Sequence, residues 1–200
     1  MKNIPFEMTI RGRRRKFGLS ICDRIFPLDR SRLYKLDHYG LIIDPKIDNE
    51  RLLFFFFHNI LRHYYKSPLA IYMKSRLNKG DLFLDIGANL GVYSYIAKEC
   101  GALSYVFEPE PNHVAFHKRN DVLYDKLFNC AVSDKNGTAE FFVAGNADSG
   151  ASSLVMSDKG WEASIYESKV TVQTERLDKL LNEQEMAKAK LVKIDVEGNE

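Results

Sequence analysis

A short apolar segment that enters a glycine-containing turn and then an amphipathic segment is the feature that most constrains this chain. Leu82–Ile86 is bounded by Gly80 on one side and Gly87 on the other, which predicts a buried strand. Val92–Glu99 follows, with apolar residues at helical spacing. A strand, a tight turn and a helix in this order form the first unit of a parallel sheet with helical crossovers.

The same alternation continues through most of the 200 residues. Short buried strands separated by helices are typical of an α/β fold, with a parallel sheet and helices on both faces. We predict this architecture from residue 80 onward. Further strands are predicted at Leu103–Phe107, Leu127–Val132, Thr138–Val143 (antiparallel), Val170–Thr174 and Leu191–Val196, and further helices at Pro111–Asn120 and Leu177–Glu185.

Residues 1–79 are predicted to form a separate, mostly helical extension, and residues 80–200 the main domain. His38–Asp44 resembles a short strand. Asp48–Leu77 has apolar residues spaced by three, four and seven, which predicts a helix that Pro68 breaks into two pieces.

Charge is distributed unevenly along the chain. Residues 1–80 carry a net charge of +10 and residues 81–200 carry −8. An acidic main domain cannot bind nucleic acid through charge alone. The basic cluster Arg11–Lys16 predicts either a solvated arm or a contact with an anionic membrane surface.

Cysteine usage and hydropathy indicate a cytoplasmic protein. Cys22, Cys100 and Cys130 are far apart and form no CxxC pair, which argues against a disulfide framework and against a cysteine metal site. Met1–Ile10 lacks the apolar segment of a signal peptide. The most apolar stretch, Leu52–Leu61, has ten residues, about half of what a membrane-spanning helix needs.

The glycine turn predicts a ligand site. Gly87 permits a tight turn with close approach of a ligand, and Gly91 permits close packing of the helix start. A dinucleotide site prefers glycine at the position of Asn89, so a pyrophosphate ligand is disfavoured. Asp85, at the end of the strand, suits a cationic ligand group, such as the ammonium of S-adenosylmethionine.

Acidic residues also follow two other predicted strands. Glu108 lies 23 residues after Asp85, the place from which a carboxylate binds ribose hydroxyls in nucleotide-binding folds, with Glu110 as its rival. Asp195 and Glu197 lie at the end of the last strand and suit either a general base or half of a Mg²⁺ site. We assign no metal site.

Five motifs together resemble the FkbM-type S-adenosylmethionine-dependent methyltransferase family. They are DIGANLGVYS (Asp85–Ser94), FEPEP (Phe107–Pro111), NCAVSD (Asn129–Asp134), GASSL (Gly150–Leu154) and KIDVEGNE (Lys193–Glu200). The resemblance covers about residues 80–200. It implies a Rossmann-like class I methyltransferase fold and methyl transfer to a hydroxyl oxygen of a sugar, glycan or natural product.

The resemblance also implies roles for individual residues. The cofactor turn corresponds to Asp85, Gly87, Asn89 and Gly91, the ribose carboxylate to Glu108, the adenine loop to Ala131, the small-residue loop to Ser152 and Ser153, and the last motif to Asp195, Glu197 and Glu200. The family's sheet has seven strands in the order 3-2-1-4-5-7-6. The chain ends just after the fourth, so we expect the sequence to be a fragment that lacks the C-terminal strands.

Two other functions stay open at the level of sequence. One is a NAD-dependent dehydrogenase on a similar fold, which Asn89 disfavours. The other is a non-catalytic module that binds a nucleoside ligand or, through Arg11–Lys16, a membrane surface.

Overall fold

A computed structural model describes residues 2–4, 34–36, 40–44, 67–144, 152–154 and 166–196. The basic cluster Arg11–Lys16 and the predicted helical segment 48–66 lie outside these ranges. So do Cys22, Glu197 and Glu200.

The central element is a four-stranded parallel sheet whose strands, from one edge to the other, are Lys126–Phe128, Leu103–Phe107, Leu82–Ile86 and Ala189–Ile194. In chain order these strands are the third, second, first and fourth, which confirms the predicted α/β fold and the first four positions of the predicted order. The strands are β4 (Leu82–Ile86), β5 (Leu103–Phe107), β6 (Lys126–Phe128) and β10 (Ala189–Ile194).

Helices flank both faces of this sheet, as predicted. The alternating side chains of β4 separate two cores. Phe83 packs on one face with Ile96 and Phe116, while Leu84 packs on the other with Leu181. The helices are α1 (Pro68–Arg76), α2 (Val92–Glu99), α3 (Pro111–Arg119), α4 (Leu177–Leu180) and α5 (Glu183–Lys188).

Two of the predicted elements are divided in the structure. The third strand ends at Phe128, and the chain then leaves the main sheet to form β7 (Ala131–Val132) in another. The predicted helix 177–185 is broken because Asn182 caps a new helix, with reciprocal hydrogen bonds to Glu185.

A second sheet carries β7, β9 (Tyr166–Glu175) and β8 (Gly137–Ala144), in that order. β8 and β9 are antiparallel, which confirms the extra strand predicted there. Ser153, from the GASSL motif, forms an isolated bridge with Phe142 of β8. The inserted sheet therefore holds both the segment after the third strand and the small-residue loop.

The described part of the N-terminal segment contains strands as well as a helix, so the prediction of a mostly helical segment is not what these residues show. A third sheet joins β1 (Lys2–Ile4), β2 (Tyr34–Leu36) and β3 (Leu41–Ile43). Leu41 is fully buried in the same core cluster as Phe83. α1 begins at Pro68, where a missing N–H does not interrupt a helix.

None of the helices in the described part of the chain has the length and apolar character that crossing a bilayer requires.

Candidate functional site

The turn after β4 is held in a conformation that ordinary residues avoid. Gly87 and Gly91 have φ angles of 70° and 73°, and Asn89, with φ of 53°, is the one non-glycine residue with positive φ among those described. The N–H groups of Gly87 and Ala88 both donate to the carbonyl of Phe107 at the end of β5. The turn is therefore fixed to the neighbouring strand.

Both glycines make close contacts within the protein. A Cβ atom at position 87 would overlap with the main-chain carbonyl oxygen of Asp195, after β10. A Cβ at position 91 would lie 2.7 Å from Cε1 of His117 on α3. The close approach predicted between Gly87 and a ligand is thus made, in this structure, by the chain that follows β10.

Asp85 is completely buried beneath the turn. Its Oδ2 accepts hydrogen bonds from the main-chain N–H and the hydroxyl of Ser94, at 3.1 and 2.7 Å. Its Oδ1 has no hydrogen-bond partner among the described residues but lies 3.3 Å from the ammonium of Lys193. The cation that sequence analysis expected a ligand to bring to Asp85 is here supplied by the protein.

Lys193 is a site residue that sequence analysis missed. Its ammonium donates to the carbonyl oxygen of Gly87 at 2.6 Å and lies 3.4 Å from Oδ2 of Asp195. Burial lowers the pKa of this ammonium, but Asp85 and Asp195 outweigh burial and raise its pKa above the usual value. The signal for it was a lysine inside the apolar strand LVKIDV, in register with Asp85 on β4.

Glu108, directly after β5, is 3% exposed. Its Oε2 accepts from the N–H of Asn89 at 2.6 Å, and its Oε1 accepts from the N–H of Glu110 at 2.8 Å. Burial opposes ionisation, but hydrogen bonding and charge from His113 hold the pKa of Glu108 below its usual value. Glu108 therefore connects the turn to the end of the second strand as a carboxylate.

Glu110, the rival carboxylate, serves the following helix. It is the N-cap of α3 and accepts hydrogen bonds from the N–H groups of Asn112 and His113. It also accepts from the side-chain amide of Asn112. The cap accounts for its burial and leaves Glu108 as the carboxylate that contacts the turn.

His117 is a second site residue that the sequence did not reveal. It is fully buried on α3, and its Nε2 lies 2.8 Å from the carbonyl oxygen of Asn89. Burial lowers the pKa of the imidazole, against the attraction of Glu108. A neutral His117 therefore donates from Nε2 to the carbonyl oxygen of Asn89, while Glu108 accepts from the N–H of the same residue.

Asp195 differs from the other two strand-end carboxylates in its exposure. Its side chain is 56% exposed, against 0% for Asp85 and 4% for Glu108. All three lie at the carboxyl ends of parallel strands, as predicted. Asp195 is therefore the most exposed member of the set, and Glu197 lies outside the described residues.

The remaining predicted residues lie in the inserted sheet. Ala131 is buried in β7 against Phe141 and Val172, so nothing in its packing supports the adenine contact expected of it. Ser152 accepts a hydrogen bond from the N–H of Ala144, and Ser153 is buried beside β8. The described residues contain no group of three or more His, Cys, Asp or Glu suited to a metal ion.

Comparison with known proteins gives one family. A family model described as the methyltransferase FkbM domain matches residues 85–200, more than half of the chain. No curated protein matches. The X-ray structure of YjhP from E. coli is 14% identical, with a TM-score of 0.26. That alignment covers 38% of this chain and 39% of that one, and a similarity this low carries no argument about function.

Proposed function

The chain belongs to the FkbM methyltransferase family, and we propose that it transfers a methyl group from S-adenosylmethionine to a hydroxyl oxygen of a sugar, glycan or natural product. The observation that carries this proposal is the contact between Glu108 and the Asn89 turn. This contact joins the glycine-containing turn to the carboxylate that follows the second strand, at the carboxyl edge of a parallel sheet. A nucleoside-binding site requires both features.

The residues present fit S-adenosylmethionine. The Oε2 of Glu108 accepts one main-chain hydrogen bond and keeps a second lone pair, so the carboxylate can still accept from a ribose hydroxyl. Asp195 is an accessible carboxylate near the other side of the turn and suits a positively charged ligand group. In this proposal the cofactor turn contains Gly87, Asn89 and Gly91, and the buried Asp85 supports it from beneath.

When bound, S-adenosylmethionine supplies a methyl group on a sulfonium, and S-adenosylhomocysteine leaves once an acceptor oxygen has taken that methyl. The protein's main task is to hold the acceptor in line with the methyl group. Correct placement of reactants is worth about 10⁵ M or more in effective concentration. The turn contributes because it is fixed at both ends of Asn89, by Glu108 and His117.

As an alternative to pairing with a ligand ammonium, Asp195 is our candidate for the group that accepts the proton of the acceptor hydroxyl. It is exposed, whereas Asp85 and Glu108 are buried and hydrogen-bonded within the protein. The same position, together with Glu197, suits half of a Mg²⁺ site. The base and metal hypotheses predict different responses to a chelator.

Transfer of radiolabelled methyl from S-adenosylmethionine to a panel of mono- and oligosaccharides tests the proposal. We expect labelled product with the wild-type chain, and about 10²-fold lower kcat with Asp195→Asn. Asp178→Asn is the matched control, since Asp178 is an exposed carboxylate on α4 that pairs with Arg176, and it should leave kcat unchanged.

Activity that persists in excess chelator supports the base role, and loss that Mg²⁺ restores supports the metal role. If Asp195→Asn keeps kcat within a few-fold of wild type, Asp195 has neither role. Binding of S-adenosylmethionine with no transfer to any acceptor would favour a non-catalytic module.

A further inference from the structure

The ammonium of Lys193 lies where two strand ends and the glycine turn meet. Lys193 on β10 is in register with Asp85 on β4, and its side chain is 10% exposed. The acceptors around its ammonium are the Gly87 carbonyl at 2.6 Å, Asp85 at 3.3 Å and Asp195 at 3.4 Å. The ammonium therefore donates one hydrogen bond to the turn and forms ion pairs with two carboxylates, so its contacts come from three different parts of the site.

Lys193 lies on the same inward side of β10 as Leu191, which packs against the core. Val192 and Ile194, the neighbours of Lys193 on β10, are 44% and 53% exposed, whereas the lysine is turned inward. A buried ammonium is unfavourable unless charged or polar groups surround it. The acceptors around its ammonium are what allow a lysine at this inward-facing position.

The cation has a specific effect on Asp195. The side chain of Asp195 is more than half exposed and follows the last residue of β10, so little else in the described structure restrains it. Attraction to Lys193 keeps its carboxylate beside the Gly87 carbonyl. One ammonium between two carboxylates leaves one excess negative charge, and this excess favours a positively charged ligand group at the exposed side of Asp195.

We propose that Lys193 is a positioning residue that makes the donor site selective for ligands with an amino-acid end. The inference rests on the proposed function, because it assumes a ligand of the S-adenosylmethionine type. Lys193 acts through the Gly87 carbonyl and Asp195, which it holds in the arrangement that receives the ligand ammonium. It does not itself remove a proton, since its two carboxylate partners keep it protonated.

Two ligands that differ only in the amino-acid end test this inference. S-adenosylhomocysteine carries an ammonium and a carboxylate, whereas 5′-methylthioadenosine has the same adenosine and sulfur without them. Titration calorimetry with the full chain measures both affinities. We expect Lys193→Met to weaken S-adenosylhomocysteine binding by about tenfold or more, the scale of a lost charged hydrogen bond, and to change 5′-methylthioadenosine binding less than about threefold.

Three further variants complete the experiment. Lys190→Met is the matched control, because Lys190 is an exposed lysine on the same strand, and it should change neither affinity. Lys193→Arg keeps the positive charge and should recover part of the selectivity. The double variant Asp85→Asn with Lys193→Met removes both buried charges together, so it keeps the test valid if Lys193→Met alone does not fold.

Each outcome has a clear meaning. Equal weakening of both ligands would show that Lys193 only supports the fold, and unchanged or tighter S-adenosylhomocysteine binding would show that it does not position Asp195; either overturns the inference and leaves the proposed function standing. A wild-type chain that binds neither ligand would overturn the proposed cofactor and the inference with it.

Discussion

At the scale of single residues, the fully buried His117 is a group whose environment responds to pH. Burial depresses the pKa of its imidazole below the unfolded value of 6.5, so the unfolded chain binds the proton more readily. The stability that His117 contributes is therefore complete above pH 6.5 and decreases as the pH falls toward the lower folded pKa. We expect the free energy of unfolding, from urea titrations, to be lower at pH 5.5 than at pH 7.5.

His117→Gln isolates this effect. Glutamine retains an N–H donor for the Asn89 carbonyl but does not titrate, so the decrease between pH 7.5 and 5.5 should become smaller. Glu108 does not contribute to the change between these two pH values. Because its pKa in the folded protein is lowered, the stability that it provides is lost only at more acidic pH. An unchanged pH dependence in the variant would contradict a neutral, buried His117.

The residue scale also shows how far the sequence could predict the site. Spacing places Asp85, Glu108 and Asp195 at strand ends, because parallel strands end at one edge of the sheet, and this is confirmed. Spacing in the sequence could not predict that Asp85 is fully buried and Asp195 exposed, because the burial of a side chain depends on the packing of distant segments. Lys193 could have been found from its register with Asp85, had the strand pairing been used.

At the scale of secondary-structure elements, the junction between the turn and α2 depends on Gly91. Gly91→Ala should reduce the free energy of unfolding by about 1–3 kcal/mol, since an added Cβ meets a buried ring at 2.7 Å and φ is positive. Gly101→Ala is the control, because φ is also positive there but the nearest atoms, on Lys79, are 3.3 Å away or more. Equal losses, measured by urea unfolding, would mean that the contact with His117 contributes nothing.

The elements with a clear pattern were predicted well. Predicted and observed boundaries agree for β4, α2 and β5, where an apolar segment or an amphipathic period is bounded by glycine or a turn. The third strand was predicted as one element because Leu127–Val132 is mostly apolar. Its transfer to another sheet depends on pairing between Ala131 and Thr174, a contact far away in sequence that no local pattern reveals.

For the molecule as a whole, the strand order matters more than any single motif. The order β6-β5-β4-β10 brings the ends of β5 and β10 to either side of the turn after β4. Connections between these strands put Glu108 on one side of the turn and Asp195 on the other, although they are 87 residues apart in sequence. The resemblance to the methyltransferase family implied this order. The sequence also predicted strands at the positions of β8 and β9, but not the pairing of β7 with β9 that takes the chain out of the main sheet.

Packing of the whole molecule joins the segment before residue 80 to the main sheet. Leu41, Ala70 and Met73 belong to the same buried cluster as Phe83 and Ile96. The side chain of Asn120, in the main domain, also forms hydrogen bonds with the main-chain N–H and carbonyl oxygen of Ile42. The predicted boundary between residues 79 and 80 therefore marks where the sequence motifs begin, whereas one hydrophobic core extends across it.

Calorimetric titration of S-adenosylhomocysteine into the wild-type chain, Glu108→Ala and Glu110→Ala tests the central claim most directly. Glu108 contacts the turn and Glu110 caps α3, so two neighbouring carboxylates with equal burial should respond differently. We expect Glu108→Ala to weaken binding by about 1.5–3 kcal/mol and Glu110→Ala to leave the affinity within about threefold of wild type. An affinity that Glu108→Ala leaves unchanged, or a wild-type chain that does not bind, would contradict this account.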